Sequence, residues 1–336
     1  MARLVGDIAR FRRAAARLEA EMFQAFERAM RIAKGQIDVD ALTAALEAGN
    51  VLEAARLAQI TPAALAPMTG AIQSTFVAGG ETIAAGIPIK AGVLGFDGRA
   101  VRAEQWAREH SALFVKQITD DHTMMVRDVT EKLLADNVDP RKAALDLVGR
   151  LNRATGKREG GFIGLTQKQA QHVFNAGQQL RDLDPAYFQR KLRDKRFDSL
   201  VQRAIAEGRP IPASKIAQIE QAYRTKYERY RGEMIARTET LNALRAGRHE
   251  GLTQAGEQGI IRPDRIATQW DATLDRRTRP DHALMHGQIS HGESDPFRLP
   301  DGSLMRFPGD SALGAHASQI IQCRCYARPV IDYLKA

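Results

Sequence analysis

The chain has 336 residues, 44% of them hydrophobic, with 49 lysines and arginines against 40 aspartates and glutamates, a formal net charge of +9. That length and apolar share exclude a disordered chain and supply a core for one large domain or two to three ordinary ones. The basic balance suits a polyanionic partner, duplex DNA foremost, or simply a well-solvated basic surface, and two cysteines exclude a disulfide framework and point to a reducing compartment. The N-terminal Met1-Ala2-Arg3-Leu4 runs on with charges in every turn, unlike a signal peptide. The most apolar stretch, 61–96, is interrupted by Pro62, Pro67, Glu81, Pro88 and Lys90, so no membrane partner is expected.

Leu4, Ile8, Phe11, Ala15, Leu18 and Met22 recur at spacings of four and three, which predicts an amphipathic helix to about Lys34. Two short helices are expected next, from Val39 to Ala48 and from Val51 to Ala58, separated by Gly49-Asn50. Residues 61–97 are rich in Ala and Gly. Small residues there permit close helix packing, but the repeated glycines also read as a flexible connection with its clearest break at Gly86-Ile87-Pro88.

Helical period returns from Val101 to Ile118, and a separate helix is expected from Asp121 to about Ala135. Asp139-Pro140 pairs a cap with a first-turn proline and opens a helix to Leu151. Residues 152–164 read as a loop. Thr166 caps a helix to Leu180, Asp184-Pro185 starts another, and Ser199 to Glu207 is helical before Gly208-Arg209-Pro210. His110 and His122 stand on helices without acidic or thiol neighbours at chelating spacing and read as structural or surface histidines.

The longest pattern runs from about Ala213 to Gln258, roughly 60 Å of helix at 1.5 Å per residue. Tyr223, Tyr227 and Tyr230 among its arginines offer a stacking platform for single-stranded nucleic acid, although helical spacing favours a packing stripe. The texture then changes. Ile266 to Ala272 alternates as a strand, Arg298 to Phe307 reads as a hairpin turning at Pro300-Asp301-Gly302, and Tyr326 to Val330 reads as a last strand. The expected fold is mainly α, with long helices packed as a bundle or stalk and a small C-terminal α+β module. Its expected parts are an N-terminal helical region 1–96, a helical domain 97–262 and the module 263–336.

Residues able to make a site gather in that module. Cys323 and Cys325 are one residue apart, so on an extended segment both sulfurs face the same way. Such a pair could chelate one soft ion, with His282, His286 and Asp275 as further nitrogen and oxygen ligands. The spacing is not the CxxC of zinc fingers. Structural zinc, a packed polar and thiol core without metal, and a catalytic ion are the three states this set can support. Walker, HExxH and Gly-x-Ser-x-Gly patterns are absent, and Arg324 beside the thiols does not by itself make either a nucleophile.

The ordered set Arg237-Thr238-Glu239, Trp270, Asp275, Arg277-Thr278-Arg279, His282, Gly287-Gln288 and the closing Cys323-Arg324-Cys325 resembles the phage Mu F-type head morphogenesis family. The resemblance spans roughly the last two fifths of the chain. Many relatives carry a CxxC pair where this chain has Arg279 and His282, and a histidine where it has Ile320, Ile321 and Gln322. The resemblance implies a non-enzymatic minor capsid protein of a tailed phage, prophage or phage-like particle. It would be built into the procapsid near the portal vertex, with portal, capsid and scaffolding proteins as partners and possible contact with packaged DNA. Its place would be the virion or procapsid interior, after the host cytoplasm during assembly. A metal-dependent or transferase-type enzyme in the C-terminal module is the alternative, since related modules are also joined to toxin domains.

Overall fold

The computed structural model describes residues 2–3, 6–87, 95–291 and 295–331. A two-residue strand, β1 (Ala2–Arg3), precedes α1 (Asp7–Gly35). The stripe expected of α1 is buried at Phe11, Leu18, Met22 and Phe26, while Arg12, Arg13, Arg28 and Arg31 face solvent. Helices α2 (Val39–Glu47) and α3 (Val51–Leu57) each begin on a side-chain cap. Asp38 accepts from the Asp40 and Ala41 amides, and Asn50 accepts from Glu53, which satisfies donors the first turn leaves unpaired.

The Ala- and Gly-rich stretch is not a flexible connection over its described part. It forms a short 3-10 turn (Pro62–Leu65) and then α4 (Ala66–Ala84). The glycines are packing positions: a Cβ added at Gly79 would overlap the Leu244 carbonyl oxygen, and one at Gly247 would overlap that of Phe76. Pro88 and Lys90 lie outside the described residues. The two helices expected between 101 and 135 are one, α5 (Val101–Ala135). Thr119-Asp120-Asp121 contains neither Gly nor Pro, and Ile118, His122, Met125, Val126 and Val129 keep the buried stripe unbroken across it.

Asp139 caps α6 (Pro140–Val148) by accepting from the Lys142 amide. The stretch read as a loop instead contains an antiparallel pair, β2 (Arg150–Asn152) and β3 (Lys157–Glu159). Thr166 and Gln169 form a reciprocal capping box on α7 (Gln167–Arg181). A 3-10 turn at Pro185–Gln189 then stands where a helix was expected. Next come α8 (Asp198–Glu207), closed by Gly208 at φ +61°, and α9 (Ala213–Glu257), 45 residues long.

Beyond α9 the chain is built mostly on antiparallel strands. They are β4 (Ile266–Asp271), β5 (Ile289–Ser290), β6 (Phe297–Arg298), β7 (Leu304–Met305) and β8 (Tyr326–Ile331), with the short helices α10 (Pro280–Leu284) and α11 (Ala317–Ile320) between them. The main sheet has the order β1-β8-β4-β5, and β6 pairs with β7 apart from it. Register runs from Ile266 opposite Ile331 to Asp271 opposite Tyr326, and Ala2 and Arg3 face Ile331 and Val330. The fold is thus mainly α with a small C-terminal α+β module. No helix among the described residues is long and apolar enough to cross a membrane.

Two compact units are assembled from separated stretches. One comprises Met1–Ala25, Met68–Ala112 and Met234–Ala336, and the other Phe26–Pro67 and Leu113–Glu233. Each of the stretches 1–96 and 97–262 contributes to both. The first unit has one apolar cluster around Trp270, Met285, Phe297, Met305 and the two cysteines, and another joining Phe11 and Leu18 to Leu244 and Tyr326.

Candidate functional site

The β4–β8 pairing brings the tryptophan and the cysteines to one end of the sheet. Trp270 is fully buried, with its ring edge-on to both His282 (5.3 Å, 83°) and Phe297 (5.2 Å, 84°). Gln322, at φ +59°, turns the chain from α11 into Cys323. That turn is fastened to α9: the Gln322 amide donates to Thr238 Oγ1 (3.2 Å), its side-chain nitrogen donates to the Met234 carbonyl (3.0 Å), and Arg237 donates to its side-chain oxygen (3.3 Å). Arg245, 1% exposed, donates to the Cys323 carbonyl (2.9 Å) and to that of Cys325. On the outer side Arg324 and Asp275 form a two-point ion pair at 2.6 and 2.7 Å. Thr273 Oγ1 donates to the Arg324 carbonyl and Thr278 Oγ1 to the Thr273 carbonyl.

His282, Cys323 and Cys325 meet, with their ligand atoms all within 4.8 Å of one another and all three residues buried. His282 Nδ1 lies 3.6 Å from Cys323 Sγ and 3.4 Å from Cys325 Sγ. Gln319 decides which nitrogen faces the sulfurs. Its amide nitrogen donates to Asp281 (2.7 Å) and Asp301 (2.8 Å), so its oxygen is the atom turned to His282 Nε2 at 3.0 Å. Nε2 therefore carries the ring proton, and Nδ1 presents a lone pair to both thiols. The sulfurs act as a pair. A bond from Cys325 and the charge of Arg245 hold Cys323 well below the usual thiol range. The same bond and burial push Cys325 up.

These residues fit a soft divalent cation. Zinc at about 2.3 Å from sulfur and about 2.1 Å from nitrogen in a tetrahedron sets nitrogen–sulfur separations near 3.6 Å, close to the spacings here. The same spacings suit weak S–H···N bonds in a packed core without an ion. Among the described residues the cluster has three members, three of a tetrahedral ion's four positions.

The other two residues expected as ligands are engaged elsewhere. His286 Nδ1 accepts from the Ala272 amide (3.1 Å) and stands 3.6 Å from Asp271, with 46% of its side chain exposed. Asp275 accepts from the Arg277 amide (2.8 Å) as well as pairing with Arg324, which holds its carboxyl well below the usual range. His122 donates to the Ala58 carbonyl (2.7 Å), and burial pushes it down to about 4. His110 has an acidic neighbour that the sequence did not suggest, Glu239 at 2.7 Å. Tyr223 is buried and edge-on to Tyr227, whose ring stacks against His172, whereas Tyr230 is exposed, so the three rings do not form one platform.

Sequence reasoning missed Arg245 and Gln319. Arg245 is one arginine among many on α9, eight residues after Arg237 on a helix of 3.6 residues per turn. That spacing was the only signal that both face the Cys-Arg-Cys turn. Gln319 stands four residues before Cys323 in a stretch with no pattern of its own.

No curated protein and no solved structure matches the chain. A family model described as Phage Mu protein F like protein matches residues 195–328, a span that contains the clamp on α9, the Asp275–Arg324 pair and all three members of the cluster. Over these residues the chain is similar to the phage Mu F-like family of head morphogenesis proteins.

Proposed function

We propose that this protein is a minor head protein of a tailed phage, prophage or phage-like particle, working in procapsid assembly near the portal vertex and touching duplex DNA through charge alone. The observation that carries this reading is how the matched segment spends its polar residues. Arg237, Thr238 and Arg245 hold the Cys323–Cys325 turn, and Asp275 is committed to Arg324. These groups brace a rigid module, and their polar atoms are spent on bonds within it. A net charge of +9 supports salt-sensitive, sequence-independent contact with DNA. The test is to express a tagged chain together with the other genes of its particle. It should be recovered in the procapsid fraction at low copy with the portal protein. Its absence from assembled heads, with normal heads formed without it, would overturn the assignment.

Within that role we propose structural zinc on His282 Nδ1 and the sulfurs of Cys323 and Cys325. The support is the tautomer imposed by Gln319, which leaves the lone pair aimed between the two sulfurs, 3.6 and 3.4 Å away. When bound, zinc would hold both sulfurs as thiolates and cross-link α10 to the start of β8.

A further inference from the structure

The β2–β3 hairpin contributes no apolar face to a core. Its residues 150–159 hold four cations, Arg150, Arg153, Lys157 and Arg158, against one carboxylate, Glu159. Leu151 lies 59% exposed in the middle of its strand. An isolated two-stranded ribbon in water is marginal, and this one is held by its base. Phe162 and Ile163 donate to the carbonyls of Asp146 and Leu147 (3.0 Å each), Arg158 donates to the Gly149 carbonyl (3.1 Å), and Arg150 pairs with Asp146 (3.2 Å). Gly149 at φ +100° lies where a Cβ would press on the Glu159 backbone, and a Cβ at Gly161 would meet that of Leu147, Val148 and Gly149.

The tip is set as firmly. Asn152 Oδ1 accepts from the Ala154 amide (2.9 Å), the Gly156 amide donates to the Asn152 carbonyl (2.8 Å), and Thr155 Oγ1 donates to Glu159 (3.2 Å). Arg153 and Lys157 flank this turn, exposed, with no side-chain partner among the described residues. Leu151 stands opposite Arg158 in the register, so the two share a face.

We propose that this hairpin is a duplex-DNA contact element, with Arg153 and Lys157 on phosphates and the Leu151–Arg158 face turned into a groove. Strands about 4.8 Å apart with their side chains make a ribbon that fits a major groove about 12 Å wide, which admits a two-stranded β-ribbon. Two unpaired cations on a rigid turn give up little side-chain pairing when they meet phosphate. An acidic protein surface would meet the cations equally well. Exposed Leu151 beside them favours DNA, where sugars and thymine methyls supply apolar contacts between the charges. The proposal rests on the DNA part of the functional reading and gives it an address.

The experiment measures binding of the full chain to a duplex of about 30 mixed-sequence base pairs by fluorescence anisotropy, from about 50 to about 300 mM salt. Arg153→Gln with Lys157→Gln is compared with Arg28→Gln and Arg31→Gln, a pair on α1 that removes the same charge. Each phosphate contact contributes about 0.9 to the slope of log K against log salt, so the hairpin variant should lose about 1.8 of slope and at least about tenfold in affinity near 100 mM. The α1 variant should change less on both counts. Equal effects of the two variants, with DNA bound by the wild type, overturn the hairpin assignment and leave DNA contact standing. No binding by the wild type at low salt overturns both. Loss of poly-glutamate binding in the hairpin variant with an unchanged DNA slope overturns the assignment in favour of an acidic polypeptide. All of the substituted residues are solvent-exposed, and unchanged circular dichroism and Tm confirm that charge alone has been altered.

Discussion

Arg245 shows why the Cys-Arg-Cys turn is stiff. Its buried guanidinium spends two bonds on the carbonyls of Cys323 and Cys325 and lies beside both thiols. His282 completes that pocket only because Gln319 fixes its proton on Nε2. Purified protein should therefore carry about one zinc per chain, and chelation should lower the Tm and melt the C-terminal module. Cys323→Ser should abolish the metal, while Gln319→Leu, which frees the ring to turn, should weaken binding about 10- to 100-fold without removing a ligand. Elemental analysis with a competing chelator checks all three. Metal-free protein with an unchanged near-UV spectrum would mean a packed thiol core. A zinc whose loss left the fold intact but stopped a turnover would instead favour the metal-dependent enzyme.

At the scale of elements, the crossing of α4 and α9 is decided by what glycine lacks. Gly79 and Gly247 bring the two backbones together at distances where an added Cβ would strike a carbonyl oxygen, Gly251 lies close against the Gly80 backbone, and a Cβ at Gly80 would strike the Phe96 ring. Gly70, on the same α4, is exposed with nothing within 4 Å of its Cβ position. Gly→Ala at an open helical site gains up to about 1 kcal/mol from propensity. At Gly247 the methyl must push a helix away from the Phe76 carbonyl, an overpacking that costs typically about 1–3 kcal/mol. Urea unfolding should therefore show Gly70→Ala equal to or more stable than wild type and Gly247→Ala clearly less stable; a neutral Gly247→Ala would mean that the crossing is loose. The same pair explains what could be read from sequence. Caps such as Asp139-Pro140 and the stripes of α1 and α9 are local, and they place those elements to within a few residues. A glycine's meaning depends on the helix it faces, so 66–84 read both as close helix packing and as a flexible connection. The β2–β3 pair was hidden because its strands carry charges instead of an alternating apolar face. The three-residue cluster was legible from its chemistry, but His286 and Asp275 were grouped with it by nearness in sequence alone, and their side chains turn to Ala272 and Arg324.

At the scale of the whole chain, the family match ends where its physical support does not. From Met234 onward α9 is covered by residues outside 195–328: Asp7 bonds Arg248 (2.6 Å) and Tyr326, Phe11 packs on the Tyr326 ring (4.8 Å), and Asp97 exchanges two bonds with Gln254 (2.9 and 3.0 Å). Arg102 reaches Glu250 and Glu257, and β1 forms an edge of the sheet against β8. No periodicity could announce these pairings, because partners such as Asp7 and Tyr326 are 319 residues apart in the chain. Residues 195–331 expressed alone should consequently keep helical far-UV circular dichroism but lose near-UV signal, bind a hydrophobic dye and unfold without a sharp transition. In the full chain Asp7→Asn strands Arg248, 3% exposed, without its carboxylate, and removing one partner of a buried pair costs about 3–5 kcal/mol. The fragment isolates the covering from the charge: if it unfolds cooperatively with a native near-UV spectrum, the matched segment is a self-sufficient domain and the first 112 residues are an attachment to it. If it is molten while Asp7→Asn is only mildly destabilised, apolar cover by Phe11, Leu18 and α4 carries the unit and the buried ion pair is secondary.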